Sequence, residues 1–159
     1  MQQWLRRVLL VTICSLASTV ALANSAQTKN QNHHKHFKEL AAAVVQITLP
    51  EVDAKIRPDN TTEVYMDVSN RGQKEHDLVA ASSPVAKQVQ LHRFVVKQGH
   101  HEMVPISKIP VYQHELTHLQ PGGFHVMLIG LKQHLIVGGH VPILLIFADG
   151  SWQQVYAKV

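Results

Sequence analysis

Four side chains in this sequence have types and spacings that could do chemistry together: His92, Met103, His125 and Met127. Imidazole nitrogen and thioether sulfur form a soft ligand set, suited to monovalent copper and poorly suited to magnesium or calcium. Zinc sites draw on thiolate, imidazole and carboxylate, and a neutral thioether adds little there. His125 and Met127 are separated by one residue, so on an extended strand both point to one face while Val126 and Leu128 point to the other. A turn centred on Lys97 and Gln98 would pair Val96 with Gly99 and, further out, His92 with Met103. Directly opposed residues have Cβ atoms roughly 5 Å apart. Two strand segments giving two ligands each would make a four-coordinate N2S2 site, with His125 near a strand end where a metal could be handed over.

The same residues admit a plainer reading. Methionine is an ordinary core filler, and twelve histidines bring His and Met together by accident. Met66 lies on an alternating apolar face with no histidine at matching spacing, and core packing is its expected role. His100 and His101 sit beside the turn as solvated residues or auxiliary ligands. His76, His114, His118, His134 and His140 are expected at surface or polar-face positions.

Such a site needs strands to carry it, and the chain after Leu40 supplies a strand pattern. Residues 63–69 alternate, with Val64, Met66 and Val68 on one face and Tyr65 and Asp67 on the other. Further strands are expected over 43–49, 76–81, 88–96, 103–106, 112–119, 124–131, 141–147 and 152–159. Turn signals punctuate them at Asn70-Arg71-Gly72, Pro121-Gly122-Gly123, Gly138-Gly139 and Asp149-Gly150. Many short strands with frequent turns, and no amphipathic helix, predict an all-β sandwich.

The chain opens with Arg6 and Arg7, an apolar run over 8–20, and Ala21-Leu22-Ala23. This is the pattern of a secretory signal, with cleavage expected after Ala23 and no stable membrane insertion afterwards. Cys14, the single cysteine, lies inside the apolar run, so cleavage would leave no thiol for disulfides or a thiolate metal site. The formal charge of +4 drops by two when Arg6 and Arg7 are removed. No basic stripe with interleaved aromatics remains, so nucleic acid is not an expected partner. Residues 24–39 read as a polar arm whose His33, His34 and His36 could bind a divalent metal weakly or simply be solvated. Residues 40–159 form the expected β-domain. No cysteine nucleophile or glycine-rich phosphate loop is present after the signal, and a non-enzymatic protein is expected.

The four candidate ligands also carry a resemblance. Ten residues separate His92 from Met103, twenty-one separate Met103 from His125, and Val126 separates His125 from Met127. That spacing is similar to the signature of the periplasmic copper chaperones of the PCu(A)C family. The flanks agree, in Tyr65-Met66, Leu78-Val79, Ala81-Ser82-Ser83-Pro84-Val85-Ala86 and the run from Leu119 through Pro121-Gly122-Gly123 to Gly130-Leu131. Two departures stand out. Arg93-Phe94 follows His92 where the family often has a methionine, and the stretch over 49–62 lacks the Trp-Val-Arg-like segment frequent before the Tyr-Met strand.

The resemblance implies a cupredoxin-like Greek-key β-sandwich that binds Cu(I) through His92, Met103, His125 and Met127 in the periplasm. It further implies copper supply for the assembly of respiratory cytochrome oxidase at the dinuclear site of subunit II, alongside a thiol-bearing partner chaperone. The His33, His34 and His36 arm would add a Cu(II) site. The alternative is a periplasmic copper buffer or scavenger without dedicated delivery.

Overall fold

The computed structural model describes residues 38–159. The expected signal segment, Cys14 and the His33, His34 and His36 arm lie outside the described residues. One helical turn, α1 (Ala41–Val44), leads into nine strands. They are β1 (Val45–Val52), β2 (Thr61–Asn70), β3 (Leu78–Ser82), β4 (Ala86–Lys97), β5 (His100–Pro105), β6 (Leu116–Leu119), β7 (Phe124–Leu131), β8 (His140–Phe147) and β9 (Trp152–Lys158). They hydrogen-bond in the order β3-β8-β9-β1-β2-β6-β7-β4-β5, and the first half of β2 pairs with β7 while its second half pairs with β6. β3 also packs against β4 from the other end of the ladder, so the sheet closes over its own core. The result is the expected β-sandwich, mostly antiparallel with parallel contacts at β1–β9 and β6–β7.

Alternation places the core. Val64, Met66 and Val68 of β2, Leu91 of β4, and Val126 and Leu128 of β7 meet Leu78 of β3 and Ile143, Leu145 and Phe147 of β8. Burying aliphatic and aromatic side chains of this size contributes roughly 1.5–3 kcal/mol each relative to exposure. Met66 is core, as its apolar face predicts. His76, expected at a surface or polar-face position, is buried, with Glu39 Oε1 at 3.4 Å and Asp149 Oδ2 at 3.8 Å. Asp149 also accepts the Ala41 amide at 2.7 Å and the Ser151 hydroxyl at 2.6 Å. Burial would raise the Asp149 carboxyl, but the hydrogen bonds from Ser151 and Ala41 hold it at about 2. The start of the domain is thus tied to the β8–β9 turn.

The β4–β5 hairpin corrects one expectation. Lys97 pairs with His100, so the two-residue loop is Gln98-Gly99 rather than Lys97-Gln98. Both loop residues have positive φ, 51° and 79°, as the tight hairpin turn whose twist matches its strands requires. Glycine adopts that conformation without penalty and belongs inside the turn, not at a paired strand position. The register is therefore displaced by two residues. His92 faces Pro105, and Met103 faces Phe94.

Replacing Gly99 with alanine puts a Cβ on a left-handed residue and is expected to cost about 1–2 kcal/mol. Urea denaturation measures it; an unchanged midpoint would contradict this turn assignment.

Candidate metal centre

The β4–β7 ladder assembles the candidate centre. It pairs His92 with His125 directly and Gln90 with Met127 one step along. Opposed residues share a face, so Gln90, His92, His125 and Met127 all stand on the side of the sheet away from Leu91, Val126 and Leu128. The next pair out on β4 brings Phe94 and its partner Met103 to the same face. The two methionines therefore flank the histidine pair from opposite ends. Met103 is diagonal to His92 rather than opposite it. Diagonal neighbours lie roughly 7–8 Å apart, within the span of a long side chain.

This face is not exposed. His125 is 0% exposed, Met127 4% and His92 8%, and Met103 is half-buried. His125 is thus enclosed, although the turn at Pro121-Gly122-Gly123 suggested an open strand end. The His92 and His125 ring centroids are 5.7 Å apart, and the Phe94 ring lies 5.5 Å from His125.

Each ring is held by one nitrogen, which leaves the other free. His125 Nδ1 donates to the Gly123 carbonyl at 3.2 Å, and His92 Nε2 donates to Gln90 Oε1 at 2.8 Å. His125 Nε2 and His92 Nδ1 are then buried with no hydrogen-bond partner. Buried polar atoms without partners are uncommon, and a pair on neighbouring rings calls for an explanation. A partner on one ring nitrogen selects the tautomer and aims the other lone pair, as in metal-ligating histidines. Burial depresses the pKa of both rings, and the neighbouring His125 adds to the effect on His92. Both are therefore neutral near pH 7, the form that binds a metal.

Sequence reasoning missed a second group on this face. Glu63 pairs with Met127 across β2–β7 and is 2% exposed. It accepts hydrogen bonds from the Arg57 guanidinium and the Tyr65 hydroxyl. Burial would raise the Glu63 carboxyl, but these two hydrogen bonds hold it below the ordinary carboxylate range. Glu63 Oε1 is 3.8 Å from His125 Nε2, too far for a hydrogen bond. Arg57 Nη1 reaches Met127 Sδ at 3.8 Å. The available signal was alternation, which sets Glu63 on the Tyr65 face of β2.

Among the described residues, no group of three or more His, Cys, Asp or Glu side chains is arranged to hold a metal ion. What the face offers is two unpartnered imidazole nitrogens with a thioether on either side. That donor set fits a soft monovalent metal better than a hard divalent one.

The two histidines also make the metal-free protein pH-sensitive. Below the ordinary histidine value of 6.5 the unfolded chain binds protons that the folded one resists. Stability is therefore full above that value and falls as pH drops toward the depressed folded values. Urea midpoints of the parent should decline between pH 7.5 and 5.5, and more steeply than those of a His92→Gln, His125→Gln variant. Equal slopes would show that the rings are not held neutral.

Comparison with known proteins places the domain. Residues 39–159 match the family model described as "LpqE-like: Putative lipoprotein LpqE-like". "Putative lipoprotein Lxx21020" of Leifsonia xyli subsp. xyli is 37% identical over 99 residues, which is 62% of this chain and 60% of that protein. The alignment thus spans less than two thirds of that relative's length. The solution structure of CuI-DR1885 from Deinococcus radiodurans is 30% identical, with a TM-score of 0.55, covering 77% of this chain and 84% of that one. The copper-bound PCuAC domain from PmoF2 shares the fold, with a TM-score of 0.61 at 22% identity over 72% of this chain and 91% of that one. The chain belongs to the LpqE-like family, and its β-domain is a PCuAC-like, cupredoxin-like sandwich.

Proposed function

We propose that this protein is an exported Cu(I)-binding metallochaperone whose ligands are His92, Met103, His125 and Met127. The observation that carries the reading is the pair of buried, unpartnered ring nitrogens, His92 Nδ1 and His125 Nε2, flanked by Met127 on one side and Met103 on the other. Copper is the cargo, and two neutral imidazoles with two neutral thioethers suit its monovalent form. The likeness to copper-bound DR1885 supports the same reading. Thioethers need no deprotonation, so the site stays competent in oxidising surroundings without the cysteine that a blue-copper electron-transfer centre normally uses. The protein carries the ion rather than turning it over.

Export rests on the signal pattern over residues 1–23 and agrees with the lipoprotein names of the family and its relative. The recipient we propose is the dinuclear copper site of cytochrome oxidase subunit II, with a thiol-bearing chaperone acting alongside. The His33, His34 and His36 arm is proposed as a weaker Cu(II) site.

Anaerobic Cu(I) competition titration of the chain from Asn24 tests the assignment. The parent should bind one tight equivalent, and a folded Met103→Leu, Met127→Leu variant should lose it, since leucine keeps the volume but not the sulfur. Equal binding by both would remove the assigned ligands. Gln90→Ala, which frees the His92 ring, should weaken binding by about 10–100-fold. Loss of copper to purified, metal-free subunit II distinguishes delivery from buffering, and no transfer would leave only the scavenger reading.

A further inference from the structure

Glu63 and Arg57 stand against two of the proposed ligands, and the copper reading gives neither of them a task. Glu63 reaches the site because β2 runs beside β7 and pairs it with Met127. At 2% exposure its carboxylate needs partners, which Arg57 and Tyr65 provide. Arg57 comes from the β1–β2 connection, where its amide donates to the Thr61 carbonyl at 2.9 Å and its carbonyl accepts from the Asn60 amide at 2.9 Å. This tight turn folds the guanidinium back over β2.

The two atoms that β7 would offer a metal therefore each meet one member of this ion pair. The Met127 sulfur receives an Arg57 N–H at 3.8 Å, and His125 Nε2 faces Glu63 Oε1 at 3.8 Å. The four proposed ligands are all neutral, so a bound monovalent cation would keep its full charge in a partly water-excluded site. Nearby formal charges act strongly there, because the effective dielectric constant is well below that of water. The carboxylate attracts such a cation. The guanidinium repels it and also competes for the electron pairs of the sulfur.

Resting on the copper reading, we propose that Arg57 and Glu63 form a charge-balanced gate on the ligand pair of β7. Arg57 weakens retention of the metal, Glu63 strengthens it, and their balance keeps the ion transferable. A purely structural ion pair behaves differently, since loss of either partner would disturb the site in the same direction.

Cu(I) competition titrations of the chain from Asn24 separate the two cases. Arg57→Gln should bind roughly tenfold tighter and Glu63→Gln roughly tenfold weaker, with the double variant within about threefold of the parent. Arg57→Gln alone leaves a buried carboxylate without its cation, so thermal melting accompanies each titration. If that variant does not fold, the double variant against Glu63→Gln isolates Arg57, and the double variant should bind tighter. A second readout needs no metal: the Met127 methyl resonance of the free protein should move in Arg57→Gln and stay near the parent position in Arg57→Lys. Single variants that shift affinity the same way, or not at all, while the parent binds one equivalent would overturn the gate and leave the copper reading standing. A parent that binds no Cu(I) would overturn both.

Discussion

The antiparallel register between β4 and β7 is the constraint on which the rest depends. It sets His92 opposite His125 and sends Leu91, Val126 and Leu128 into the core on the other face. A slip of one residue would exchange the faces, expelling three core side chains and burying the two imidazoles among hydrocarbon. Packing on the core face thus fixes where the histidine pair stands on the other. β5 then adds Met103 at one end through a hairpin whose loop tolerates little change, and β2 adds Glu63 at the other.

That outer face is unusual in being polar and buried together. Unpartnered buried nitrogens cost free energy of about 1–3 kcal/mol each. Here they persist because Gly123, Gln90 and the packed sheet hold the rings where they are. The Arg57, Glu63 and Tyr65 network is the opposite case, a buried charge fully supplied with donors. One edge of this face carries unpartnered nitrogens while the adjoining edge is satisfied.

Much of the architecture was legible in the linear order of residues. Residues 124–131 read as a strand and are one, because the Pro121-Gly122-Gly123 turn and Leu131 bound a continuous run. The His125 and Met127 relation needs only period-two alternation, a local property of any strand. The His92 and Met103 relation was misplaced by two residues, because a hairpin register depends on which residues accept positive φ, and Gln98 takes it here beside Gly99. His76 escaped notice because its burial depends on Glu39 and Asp149, which are remote from it in sequence.

The sequence by itself determined the β-rich class, the faces of its strands and the soft character of four candidate ligands, since residue type and alternation are local quantities. Only the tertiary structure decided that His92 lies across from His125, that both rings keep a free nitrogen out of water, and that Arg57 and Glu63 lean on Met127 and His125. Those are relations between strands far apart in the chain. Nothing in the spacing of residues along one strand encodes which other strand will lie beside it, or how far it will slide before hydrogen bonds and core packing agree.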